Sequence, residues 1–349
     1  MNKKIIGLAL LVFFSIITVS CNSLTTTLTG ENQKNDTSAN SYTPVNVCYS
    51  AASGAQSVTW YAQENKLFEK YGLDVNLVYI NGGSKSATAL ITKEMDFCSM
   101  AGDGVVNANL AGEDLVIIAS FFNTYPGSIM VKPEIKTPID LKGKTIANHN
   151  KFGGVTDNIT RLTLNRLQLK PDQDVKLLPV GDQGERLLSM EATPEIVGTL
   201  IIVPFTLKAE EQGYQELVDI ASLNLPYQYI GIGTTKSYLA KNPDTATNFI
   251  KAILEAIALM KQDKQGTIKV MAKYLNLDPK QDAKVLDVTY DILITKYLEE
   301  IPLPNSTSVQ TILNLLAKNN PEASNFKPEE MIDISFVKEL ETKEFGKKK

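Results

Sequence analysis

Histidine is nearly missing from this sequence. His149 is the only one in 349 residues, and the cysteines number three: Cys21, Cys48 and Cys98. A zinc site built from His and Cys needs about four such ligands, commonly with two cysteines a few residues apart. That spacing does not occur, so a His/Cys zinc centre is all but excluded, and a Ser-His-Asp triad would have to rest on His149 alone. Positive charge is not in excess either. With 35 Lys and Arg against 39 Asp and Glu, the formal charge is −4, which argues against nucleic acid as a partner. Lys347, Lys348 and Lys349 read as a solvated tail rather than a binding patch. A membrane-length apolar run is also lacking. The longest candidate, residues 5–19, falls short of the roughly 20 residues that a span needs.

That apolar stretch has another reading. Lys3 and Lys4 precede it, and Ser20-Cys21 closes it. A basic segment, a short apolar core and a small residue before the cut describe a secretory signal. The run Ile17-Thr18-Val19-Ser20-Cys21 further resembles a bacterial lipobox, in which the cysteine carries lipid and becomes the first mature residue. Residues 1–20 are therefore expected to be a signal peptide. Residues 21–43 are expected to be a lipidated Cys21 and a flexible tether, because 22–43 are mostly Ser, Thr, Asn, Gly and Gln and cannot bury a core. The lipid would hold the protein on a bacterial membrane, facing the periplasm or the cell exterior. Cys48 and Cys98 fall on predicted strands among apolar neighbours and are expected as free buried thiols. A disulfide is the alternative. An exported location permits it, although bridging neighbouring parallel strands is geometrically awkward.

What the sequence does contain is a repeated strand-loop-helix grammar. A strand at 45–49 runs into Ser50-Ala51-Ala52-Ser53-Gly54 and a helix over 56–71, which Gly72 stops. A strand at 75–80 runs into Asn81-Gly82-Gly83-Ser84 and a helix over 85–92. A strand at 95–100 runs into Ala101-Gly102-Asp103-Gly104 and a helix over 105–110. In an open parallel sheet such loops gather at the carboxyl ends of the strands, where these sheets bind ligands. Glycine permits close approach of the backbone, and the free amides of a helix start favour an anion. Residues 145–233 repeat the grammar, with Asn150-Lys151-Phe152-Gly153-Gly154 opening a helix near Thr156. Beyond Tyr238 the apolar period is helical. Two α/β lobes with a cleft between them follow, hinged near residues 123–127 and 226–230.

Several of these pieces, in this order, resemble a known family. Tyr71-Gly72-Leu73-Asp74-Val75, Gly82-Gly83-Ser84, Met95-Asp96-Phe97, Gly102-Asp103-Gly104, Asp140-Leu141-Lys142-Gly143-Lys144, Pro204 with Lys208-Ala209-Glu210, and Asn242-Pro243-Asp244 are similar to solute-binding proteins of the nitrate/sulfonate/taurine class of ABC importers. The related thiamine-pyrimidine synthases share that fold. The resemblance implies a type II periplasmic-binding-protein fold: two α/β lobes, a hinge and a C-terminal helical tail. Lobe 1 would be residues 44–123 and 234–349, and lobe 2 residues 124–233. It implies a receptor, monomeric and without cofactor or metal, that hands a small solute to permease subunits driven by a cytoplasmic ATPase. Ahead of the second-lobe proline strand, Val197 stands where the family usually has an acid, and Pro194 interrupts the pattern.

On that architecture Ser50, Ser53, Gly54, Gly82, Gly83, Ser84, Gly102 and Asp103 should line the first-lobe wall. Phe152, Gly153, Gly154, Thr156, Pro204 and Phe205 should face them, with Asn123 and Tyr229 at the hinge. Ser53, Ser84 and Thr156 are equally expected as helix N-caps, and Asp103 as a cap for the helix at Val105. Tyr125 offers a further apolar wall. Arg161 and Arg186 could clamp a carboxylate or sulfonate, but their positions beyond the first helical turn favour the surface. An enzyme on the same fold is the competing reading. The related synthases use a Cys-rich motif and pyridoxal phosphate held by lysine, and this sequence has no cysteine cluster. A receptor that feeds a sensor is the third reading.

Overall fold

The computed structural model describes residues 42–149 and 153–343. The expected signal peptide, the lipidation site Cys21, nearly all of the tether and the candidate contact Phe152 lie outside the described residues. Two five-stranded sheets organise the rest. In the first, β1 (Thr43–Tyr49), β2 (Leu73–Tyr79) and β3 (Phe97–Met100) are parallel, in the order β2-β1-β3, and β4 (Leu115–Ser120) forms the far edge. In the second, β5 (Gly127–Val131) runs antiparallel beside β8 (Ile196–Ile202), which is parallel to β6 (Lys144–Asn148), itself parallel to β7 (Val175–Pro179); β9 (Gln215–Asp219) closes the other edge. The last strand, β10 (Gly231–Thr235), returns to the first sheet and inserts antiparallel between β3 and β4.

Each sheet is thus mixed, with one antiparallel strand supplied by the chain as it crosses between lobes. Burial follows position. Central β3 and the nearly all-apolar β4 are buried at every residue, as strands covered on both faces should be. Edge strand β2 buries Leu73 and Val75 while Asp74 and Asn76 remain exposed. The two crossing segments pair with each other: the amides of Phe121, Tyr227 and Tyr229 donate to the carbonyls of Ile230, Asn123 and Phe122 at 2.8, 2.9 and 3.0 Å.

The helices of the first lobe are α1 (Ser57–Glu64), α2 (Leu67–Lys70), α3 (Gly83–Ile91) and α4 (Gly102–Leu110). Those of the second are α5 (Val155–Arg166), α6 (Gln183–Ala192) and α7 (Phe205–Glu211). The tail comprises α8 (Lys236–Lys241), α9 (Pro243–Gln262), α10 (Lys264–Leu275), α11 (Ala283–Tyr290), α12 (Ser306–Leu316) and α13 (Ser335–Thr342). Helix α9 buries Ala246, Phe249, Ile250, Ile253, Ile257 and Met260, a continuous stripe at helical spacing. Phe249 lies between Phe97 of β3 and Phe68 of α2, with ring centroids 4.3 and 5.1 Å away, so the tail packs on the first sheet. Trp60 is fully buried and stacks on Tyr274 at 4.8 Å.

Three local expectations are corrected. The helix expected over 56–71 breaks at Asn65-Lys66. Asn65 turns its side-chain amide back onto the Tyr61 carbonyl at 3.0 Å, and Lys66 takes a left-handed φ of 55°, so that α2 starts in a new direction. The tether was expected to reach Thr43, but Thr43 already pairs with Leu73 in β1. Cys48 and Cys98 are not free thiols; they form a disulfide. Strand β1 lies directly beside β3, and the register sets Cys48 opposite Cys98 with Cα atoms 4.4 Å apart. That approach falls within the range a disulfide spans.

Candidate functional site

The first wall is built from the loops that follow β1, β2 and β3. Gly82, at φ +95°, caps α3, and its amide donates to the Ser50 carbonyl at 2.9 Å, tying the first two loops together. The second and third loops touch through glycines: a Cβ on Gly104 would sit 2.7 Å from the Gly83 carbonyl oxygen. Only a residue without a side chain allows that approach. Ser53 caps a short 3-10 turn, accepting from the Ala55 amide at 3.4 Å, and lies close to the Tyr229 hydroxyl. Ser84 lies in the first turn of α3 rather than capping it. Gly54 faces the tail, where a Cβ would meet Leu293 at 2.8 Å, and Gly102 makes room for Gln228 at 2.6 Å. The Asn123 side chain bonds Ser120, Glu299 and the Leu303 carbonyl, holding the hinge to the tail.

Asp103 sits inside α4, in its first turn, and does not cap a helix at Val105. Its carboxylate Oδ1 accepts from the Asn158 amide of α5 and from the Tyr227 hydroxyl of the second crossing segment. One oxygen therefore joins the first lobe to the second and to the hinge. The residue is 4% exposed, and burial pushes its pKa from 3.8 up to about 6. Its other oxygen, Oδ2, is buried without a partner.

The second wall opens with Gly153 at φ +75° and Gly154, which caps α5 in place of the expected Thr156. Asp157, in the first turn, accepts from the Gly153 amide and the Asn148 side chain, both at 2.8 Å, and pairs with Arg161. Thr156 is buried beside it. Pro204 caps α7, and Phe205 lays its ring edge 3.5 Å from where a Gly184 Cβ would stand. Pro194 falls in the turn before β8, where Lys132 donates to the carbonyls of Thr193 and Pro194 at 3.2 and 3.1 Å.

Arg186 departs most from expectation. It is 1% exposed, not on the surface. Its Nε donates to the Thr199 hydroxyl at 3.1 Å, and its terminal nitrogens donate to the carbonyls of Gly181 and Leu200 at 2.6 and 2.9 Å. All three acceptors are neutral. Burial lowers its pKa, while the charges of Asp182 and Glu185 oppose that shift from a distance. Those two carboxylates are engaged in a capping box at the start of α6: Asp182 accepts from the Glu185 amide at 3.1 Å, and Glu185 accepts from the Asp182 amide at 2.8 Å. Tyr125, Tyr229 and His149 lie within electrostatic reach of the guanidinium. The Tyr125 and Tyr229 rings pack at 4.6 Å, and burial pushes Tyr125 up to about 12. Replacing Asp182 by alanine is expected to lower stability by about 1 kcal/mol through loss of the cap. A urea denaturation midpoint would register the change, and an unchanged midpoint would contradict it.

Asn158 and Tyr227 were not among the sequence-predicted contacts, and Arg186 was named as a possible acid clamp but expected at the surface. For Arg186 a signal existed. Asp182-x-x-Glu185 marks a helix start, and Arg186 then shares a face with Met190 one turn on, a residue that is fully buried. Asn158 and Tyr227 carry no comparable local pattern, because their roles depend on where α5 and the second crossing segment meet α4.

Residues 56–266 match the family described as NMT1/THI5 like. The chain belongs to that family. A Brucella abortus protein with a provisional name as a binding protein is 26% identical over 241 residues, covering 67% of this chain and 72% of the relative. The aliphatic sulphonate binding protein SsuA of Escherichia coli superposes with a TM-score of 0.69 at 20% identity, over 83% of this chain and 92% of that one. The alkanesulfonate-binding SsuA of Xanthomonas axonopodis pv. citri, bound to MOPS, gives 0.68 at 18% identity, over 84% and 98%. These likenesses establish the fold as that of periplasmic binding proteins, with two mixed α/β lobes and a helical C-terminal region.

Proposed function

We propose that this NMT1/THI5-like protein is the solute-binding lipoprotein of an ABC importer. Its lobes, residues 44–123 with 234–349 and residues 124–233, close over a small organic or anionic solute, and the complex delivers it to the permease. Cys21 carries the lipid that keeps the receptor at the membrane. Loops bearing Ser50, Ser53, Gly82, Gly83, Ser84 and Asp103 meet Gly153, Gly154, Thr156, Pro204 and Phe205 across the cleft, with Tyr229 at its base.

The observation that carries this reading is Arg186. A buried guanidinium bonded only to neutral acceptors is costly to desolvate, and buried charges ordinarily have a partner of opposite sign. A carboxylate or sulfonate arriving in the cleft supplies that partner. The naming of relatives as binding proteins supports the same role. The synthase alternative is disfavoured because Cys48 and Cys98, bonded to each other, offer no thiol.

A thermal-shift screen of carboxylates, sulfonates, nitrate, amino-acid-like compounds and vitamin precursors tests the proposal, with small-angle scattering on each hit. A hit should raise the melting temperature and reduce the radius of gyration. A screen with no shift and no closure would sink the receptor reading. Arg186→Gln should weaken the best anionic hit tenfold or more, the scale of a lost charge-assisted hydrogen bond, as measured by calorimetry. Unchanged affinity would remove Arg186 from the site.

A further inference from the structure

The lobes touch through a side-chain hydrogen bond that is itself buried. Asp103, in the first turn of α4, and Asn158, near the start of α5, are 4% and 5% exposed. The Asn158 amide donates to Oδ1 of Asp103 across the gap between the lobes, and also to the Gly153 carbonyl at 3.2 Å, which steadies it. The Tyr227 hydroxyl, from the second crossing segment, donates to the same Oδ1. All of these groups belong to the chain, so the contact forms from its own side chains whenever the lobes meet. At the rim, Tyr79 at the end of β2 lies within electrostatic reach of Asp182 at the start of α6.

We propose that Asp103 and Asn158 form a latch through which the lobes visit the closed arrangement before solute binds, and that mild acid strengthens it. This goes beyond the receptor reading, in which closure follows the solute: the solute captures an arrangement that the chain already populates. Opening parts Asp103 from Asn158 and lets water reach the carboxyl. Closing buries it, and burial pushes its pKa from 3.8 up to about 6. No donor among the described residues reaches Oδ2, so the proton settles there while Oδ1 keeps both bonds. Closing thus takes up a proton between pH 3.8 and about 6, and the closed arrangement loses this advantage as pH rises through that window. The surrounding groups keep the sign. Tyr227 is held well above its usual range and stays neutral, and the charge of Asp157 on α5 pushes Asp103 the same way as burial does. Among the elements packed on α4, the strands β4 and β10 and helix α12 carry no ionisable residue. Lys85 of α3, and Glu329 and Glu330 of the turn Pro328–Met331, are exposed.

Small-angle scattering of the solute-free mature chain at pH 5 and pH 7.5 tests the latch. The closing equilibrium should be about tenfold more favourable at pH 5, so the native radius of gyration should be smaller there. Asp103→Asn keeps the acceptor oxygen and loses the charge, and should hold the smaller radius at both pH values. Asn158→Ala removes the donor and should give the larger radius at both, with circular dichroism verifying its fold. A native radius that does not change with pH overturns the proposal. So does an Asp103→Asn radius that rises at pH 7.5 along with the native one, or a folded Asn158→Ala as compact as the native protein at pH 5. Should Asn158→Ala fail to fold, the native pH profile set against that of Asp103→Asn decides alone. The receptor reading is judged separately, by whether a hit in the solute screen shifts melting and closes the lobes.

Discussion

Reduction of the Cys48–Cys98 disulfide is expected to lower the unfolding free energy by about 4 kcal/mol. The bond joins residues 50 apart in sequence, and loop-closure entropy for a ring of that size corresponds to about 4 kcal/mol in the unfolded chain. For a domain of this length that amounts to a drop on the order of 8 °C in melting temperature. Both half-cystines are fully buried in the core, so reductant should act slowly on the folded protein and fully on the unfolded one. Urea denaturation with and without reductant, together with the Cys48→Ala/Cys98→Ala double variant, measures the effect. Thiol titration in denaturant should find no reactive group from this pair before reduction. An unchanged midpoint after complete reduction would contradict the expectation. The bond also clamps β1 to β3 just before the loops that begin at Ser50 and Ala101. Its loss should therefore loosen the first wall of the cleft as well as the sheet.

The disulfide illustrates what the sequence could and could not convey. Apolar period and glycine-rich loops locate the strands and most helices, because those signals are local. Register is not local. The sequence places Cys48 and Cys98 on strands, but only the order β2-β1-β3 sets them opposite each other. The mixed sheets escape for the same reason, since β5 and β10 read as ordinary short strands and their antiparallel direction follows from the two crossings. At the site, the grammar of loop and helix identifies the walls, and the contact between Gly83 and Gly104 shows why glycine stands at both loops. Helix starts shift by a residue or more, which moves Asp103 into a first turn and passes the cap of α5 from Thr156 to Gly154. A helical position beyond the first turn points Arg186 to the surface, whereas its neighbours Leu187 and Met190 fix a buried face.

Asp103→Asn is expected to stabilise the ligand-free protein at pH 7.5 by about 3 kcal/mol. In the folded state burial moves the Asp103 carboxyl from 3.8 to about 6, and a shift of that size corresponds to about 3 kcal/mol. The sign follows from proton counts. Between pH 3.8 and about 6 the folded chain holds this proton while the unfolded chain has released it. The contribution of Asp103 to stability therefore falls as pH rises through that window and stays low above it. Asparagine keeps an oxygen for Asn158 and Tyr227 and carries no charge to desolvate. The advantage of the variant should be full above pH 7, shrink between pH 6 and 4, and vanish below. Denaturation midpoints of both proteins across that range measure it. A gap that is constant with pH, or a variant less stable at pH 7.5, would contradict the assignment.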